Sequence, residues 1–97
     1  MVDKRVSEIL EIKNEIGLAY RRIKKILESI AEEIKNSEEL RKEIGEFDVK
    51  VRENFCGDPS IEISVEMDLE YAGYRICDFV EKKYGSMLIS FISLRRV

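Results

Sequence analysis

Residues 2–34 read VDKRVSEILEIKNEIGLAYRRIKKILESIAEEI, and the fold class turns on this stretch. Apolar side chains recur at alternating spacings of three and four through Val2, Val6, Ile9, Ile16, Tyr20, Ile23, Leu27, Ile30 and Ile34, with Lys13 the one polar residue in the series. That period predicts a single amphipathic helix over roughly residues 3–35. Leu10, Ile12, Ala19, Ile26 and Ala31 flank the seam, so the stripe is wider than a two-stranded coiled coil needs. A helix of this length spans about 48 Å, more than the rest of the chain can cover. Ile9, Ile16, Tyr20, Ile23, Leu27, Ile30 and Ile34 are therefore the predicted oligomerisation residues of a homodimer or higher oligomer. Gly17 marks either a close helix–helix approach or bend, or a tolerated weak point costing about 1 kcal/mol relative to Ala.

The seam phase breaks at Ser37 and Arg41, and Asn36 followed by Glu39 resembles a capping box. A short helix over roughly 37–44 is expected, with Leu40 and Ile44 on one face and Gly45 as terminator. Phe47, Val49 and Val51 then alternate with Asp48, Lys50 and Arg52, and Ile61, Ile63, Val65 and Met67 alternate with Glu62, Ser64 and Glu66. These are two half-buried strands, and the turn-rich residues 54–60 between them predict an antiparallel hairpin. Asp68 is placed to cap a helix running to about Tyr84, with Leu69, Ala72, Gly73, Ile76 and Val80 on its apolar face and Gly85 at its end. Met87 to Leu94 is apolar in both alternating sets, which reads as a strand covered on both sides. A right-handed crossover from the second strand to the third would place the first strand between them. The predicted class is α+β: the long helix, residues 1–36, and a compact α-ββαβ part, residues 37–97, forming one domain with a three-stranded, split ferredoxin-like sheet. One sheet face is expected under the 68–84 helix and the other under the long helix or a second subunit.

Composition narrows the chemistry. The 97 residues carry 17 basic and 20 acidic side chains and contain no His, Thr, Gln or Trp. Without His the commonest general base near neutral pH and the commonest zinc ligand are both missing. The near-balance of charge argues against a general polyanion binder. No apolar stretch approaches the roughly 20 residues of a bilayer span, and the N-terminus has no apolar signal core, so a cytoplasmic location is expected. Abundant Glu and Lys with scarce amides point to a thermophilic source.

Among candidate sites, Arg21, Arg22, Lys24 and Lys25 form the one basic cluster, which could attract phosphates in a dimer. Glu28, Glu32 and Glu33 follow within pairing distance along the helix, so a solvated charged face is the better reading and nucleic-acid binding the alternative. Tyr71 and Tyr74 project away from the apolar face of their helix and are candidate partner-binding residues, unless the long helix covers them. Cys77 reads as a buried structural thiol. Cys56, in the hairpin turn beside Gly57 and Asp58, lacks the base or cation that a reactive thiol needs, and a disulfide to Cys77 or to a second subunit outweighs a thiol or small-ligand site there. The carboxylates are scattered and the five glycines sit singly, so neither a paired acid–base site nor a phosphate cradle is predicted, and no cofactor or metal.

From Leu40 to Leu94 the element order, with Ile61 to Asp68 followed by Ala72, Ile76, Val80 and Glu81, resembles the cytoplasmic domain of cation diffusion facilitator transporters. The resemblance implies a ferredoxin-like topology. It does not imply metal sensing, because that family's metal-binding histidines have no counterpart in a chain without histidine. The functional expectation is a non-enzymatic, homo-oligomeric interaction or regulatory module that presents a surface to itself and to other proteins.

Overall fold

The computed structural model of the chain describes residues 3–12, 19–53 and 58–97. In chain order it contains α1 (Lys4–Ile12), α2 (Ala19–Lys35), α3 (Glu38–Ile44), β1 (Phe47–Glu53), β2 (Pro59–Val65), α4 (Leu69–Tyr84), a 3₁₀ segment (Ser86–Phe91) and β3 (Ile92–Arg96). The class is α+β, with a three-stranded mixed sheet.

The expected single helix over 3–35 is replaced by two helices packed on each other. Arg5 in α1 hydrogen-bonds Glu33 in α2 at 3.0 Å although 28 residues separate them. In one continuous helix those residues would stand about 42 Å apart. The longest dimension of the molecule, 39 Å, is also shorter than the predicted rod. The described part of the stripe is thus covered within the chain: Val6, Ile9, Ile12, Ile23, Leu27, Ile30, Ala31 and Ile34 all lie in the core. The expectation fails because periodicity reports which face is buried and not what buries it. Gly17, Ile16 and Lys13 lie outside the described residues, as does the hairpin turn at 54–57.

Local chemistry sets the helix ends. Ser37, one residue past the expected Asn36, caps α3 by accepting a hydrogen bond from the Leu40 amide at 3.2 Å, and Asp68 caps α4 by accepting one from Tyr71 at 3.1 Å. Gly45 (φ 74°, ψ −155°) and Gly85 (φ 101°, ψ 154°) close α3 and α4 in backbone conformations that are essentially restricted to glycine.

β1 and β2 pair antiparallel, as the alternation predicts, and the register sets Val49 opposite Ile63 and Lys50 opposite Glu62. The strand order, however, is β1-β2-β3, with β2 and β3 adjacent and parallel. The first strand does not sit between them, so the unit is not the split ferredoxin-like arrangement. The right-handed crossover rule is equally compatible with adjacent strands, and the sequence does not choose between the two. Met87 is not in a strand. Residues 86–91 form the 3₁₀ segment, in which Leu88 and Phe91, three apart, are turned to the same buried side.

The registers put Phe47, Val49, Val51, Ile61, Ile63, Val65, Ile92 and Leu94 on one sheet face and Asp48, Lys50, Arg52, Glu62, Ser64, Ser93 and Arg95 on the other. Both α2 and α4 pack on the apolar face: α2 over β1 and β2, α4 over β3. The expectation that the long helix could cover the face opposite α4 is therefore corrected, and that second face is polar. At its centre Glu62 lies 3.0 Å from Arg52 and 3.9 Å from Arg95.

Candidate functional site

Three surfaces draw attention. The first is a polar cluster where the beginning of α1 meets the ends of α2 and α4. Tyr84 ends α4 with its ring fully buried, and its carbonyl accepts a hydrogen bond from the Asp3 amide at 3.0 Å. Asp3 in turn accepts from the Arg5 backbone and guanidinium. The same guanidinium makes a bidentate contact with Glu33, donates to the Ser29 hydroxyl and lies 5.8 Å from the Tyr84 ring centroid. The Tyr84 hydroxyl donates to Glu33 Oε1 at 3.1 Å.

Hydrogen bonding from Arg5 holds the Glu33 and Asp3 carboxyls below the usual carboxylate range. The same two partners raise Arg5, while burial and the neighbouring Glu33 charge push the Tyr84 phenol up. Every strong donor and acceptor in the cluster is already engaged within the chain. Its chemistry is that of a clasp fastening α1 to α2 and α4.

The second surface is the outer side of α4. Tyr74 is 71% exposed and Tyr71 42% exposed. Arg75 donates to the Tyr71 hydroxyl at 3.1 Å and stacks its guanidinium 5.2 Å from the ring centroid, holding that side chain in one orientation. Both tyrosines stand on the surface of the described chain. Leu69, expected on the buried face, is partly exposed at the first turn, and Phe79 and Tyr84 extend that face instead.

The third is a set of surface grooves between described residues. One of about 240 Å³ lies between α3 and α4, lined by Glu39, Glu43, Asp78 and Lys82 among others. Another of about 280 Å³ runs between α2 and β1, with Glu28, Glu32, Lys35 and Lys50 along it. A third, about 230 Å³, adjoins Phe47, Ser64 and Val97. Each falls below the roughly 300–1,000 Å³ of small-molecule sites. Among the described residues no group of three or more His, Cys, Asp or Glu is placed to hold a metal ion.

The other sequence-predicted residues are dispersed. Ile9, Ile23, Leu27, Ile30 and Ile34 are 0–6% exposed within the chain's own core, and Ile16 and the Tyr20 side chain lie outside the described part. Arg21 and Lys25 are exposed, whereas Arg22 lies 3.8 Å from Glu8 and Lys24 3.2 Å from Glu53, so the basic cluster is partly neutralised by its own chain. Cys77 carries a free thiol and is half-buried; Cys56 is outside the described residues. The Arg5–Glu33 clasp went unforeseen because its members are distant in sequence. The only hint was that Arg5, Ser29 and Glu33 flank the apolar stripe.

No family model, curated protein or solved structure matches the chain. The resemblance to cation diffusion facilitator domains therefore remains one of element order.

Proposed function

We propose that this chain is a non-enzymatic, cytoplasmic, homo-oligomeric interaction module that docks through the outer side of α4 and the segment following it. One observation carries the reading. All the large apolar side chains that stand exposed among the described residues, Leu69, Tyr71, Tyr74, Met87 and Val97, lie on α4 or C-terminal to it. Tyrosines on a rigid helix offer large contact area at low entropic cost, which is why they recur as interface anchors. The described residues of the α1–α2 stripe, by contrast, lie in the core, which favours another surface for self-association.

The deciding experiment is the molar mass of the intact chain by light scattering across a dilution series. A dimer at the concentrated end is expected, and a monomer throughout contradicts the reading. Nucleic-acid binding through Arg21, Arg22, Lys24 and Lys25 receives less support, since Glu8 and Glu53 already face two of these four cations.

A further inference from the structure

We propose that two copies of this chain join β3 to β3, antiparallel about a two-fold axis at Leu94, into a continuous six-stranded sheet in which Arg96 of each copy meets Glu81 of the other. The inference rests on the self-association reading above and names its surface and register.

β3 is an edge strand, hydrogen-bonded to β2 on one side only. Its side chains are half-buried or exposed along their whole length. An unpaired strand edge is a template for another strand. Antiparallel self-pairing keeps the apolar and polar faces in phase only when residues of like parity stand opposite each other.

Of the registers centred on a β3 residue, the three that pair most of the strand, centred on Ser93, Leu94 and Arg95, differ in what they oppose. Centring on Arg95 sets that arginine against its own copy, like charge against like. Centring on Ser93 leaves Arg95 and Arg96 beyond the paired strand, opposite the 3₁₀ segment. Centring on Leu94 uses all of Ile92–Arg96. It places Leu94 against Leu94, Ser93 against Arg95 and Ile92 against Arg96, with no like charges opposed.

α4 completes the match. Gly73 sits directly above Leu94, where an added Cβ would lie 3.4 Å from Leu94 Cδ1. The helix runs back against the direction of β3, as it must to join two parallel strands. One turn on, Cys77 therefore stands near the level of Ile92, and Glu81 lies about 5.4 Å further. Glu70, Tyr74, Cys77 and Glu81, at spacings of four, three and four, form one stripe of the helix, exposed except at the half-buried Cys77. An Arg96 from the second copy, lying opposite Ile92 on this face, comes beneath that stripe within an arginine's length of Glu81. Among the described residues, neither the Arg96 guanidinium nor the Glu81 carboxylate has an ion-pair or hydrogen-bond partner in its own chain. Tyr74 then faces the second copy's α4. The β1 edge is the weaker candidate: its full-length antiparallel register opposes Lys50 to Lys50, like charge against like.

The test is a charge-reversal cycle on the full chain, read by light scattering and by circular dichroism as a check on folding. Arg96→Glu and Glu81→Arg should each raise the dimer dissociation constant at least about 10-fold, and the double variant should restore it. Arg96→Ala and Glu81→Ala, which remove the pair without reversing charge, should each raise it up to about 5-fold. A dimeric parent whose single reversals keep the parent's dissociation constant, or whose double variant is no tighter than the singles, overturns the β3 pairing while leaving self-association standing. A parent that is monomeric at every concentration overturns both, and a β3-bound protein of another kind would then be the occupant to seek.

Discussion

The Arg5 guanidinium and the Glu33 carboxylate are joined bidentately between the first turn of α1 and the last turns of α2. This contact defines how the N-terminal third of the chain is folded. It fixes α1 beside α2, brings both apolar stripes onto one core and sets the start of α1 against Tyr84 at the end of α4.

Removing the clasp should loosen α1 without unfolding the sheet. Arg5→Ala is expected to cost about 1 kcal/mol, the scale of a partly exposed ion pair with good geometry. Hydrogen-exchange protection should fall in α1 and at the end of α4 and be retained in β2. Uniform loss of protection would mean that α1 is not a separable element.

The same contact carries a pH dependence. Asp3 and Glu33 have folded-state pKa values held below their unfolded ones. Their contribution is present above the unfolded carboxylate range, near pH 4, and is lost as pH falls through the lower folded values. Thermal melts from pH 6 to pH 2 should show the midpoint dropping below about pH 4, and Glu33→Gln should flatten part of that drop. Tyr84, raised by burial and by Glu33, acts in the opposite direction: its contribution is intact below the unfolded phenol value and declines from about pH 10 upward. Tyr84→Phe should remove that alkaline decline.

Ile23 is a core residue of the folded chain, 6% exposed. Ile23→Ala should cost about 2–5 kcal/mol in chemical denaturation while the folded fraction keeps the parent's molar mass. Loss of oligomeric mass with unchanged unfolding free energy would return Ile23 to an intermolecular seam.

Gly45 closes α3 at φ 74°, ψ −155°. Gly45→Ala should destabilise by about 1–3 kcal/mol through backbone strain alone, since nothing within 4 Å would obstruct the added Cβ. An unchanged melting temperature would show that the α3–β1 junction adopts another path.

Much of the fold is legible where the signal is local. The period-two alternation around Val49 and Ile63 gives the two strands and their hairpin, and Asp68, Gly45 and Gly85 mark helix ends by short-range hydrogen bonding and backbone freedom. One loss is local, the 3₁₀ segment Ser86–Phe91 that reads as strand because it is apolar in both alternating sets, and the others are long-range. The spacings from Val2 to Ile34 stay nearly in phase through Lys13 and Ile16, so no change of period announces that α1 and α2 pack on each other. The order of β1, β2 and β3 depends on where α4 returns the chain, and the Arg5–Glu33 contact depends on a packing angle between helices. At the candidate docking surface, the outward direction of Tyr71 and Tyr74 follows from helical geometry. The free edge of β3 and its alignment with Glu81 do not, because they require the strand order.

The most direct test of the central claim, that assembly uses α4 and not the α1–α2 stripe, is the molar mass of Tyr74→Asp beside the parent at the same concentration. Tyr74 is 71% exposed in the single chain, so the substitution should leave the fold intact by circular dichroism. A dimeric parent and a monomeric, folded variant are expected. A variant that stays dimeric at the parent's dissociation constant contradicts the claim.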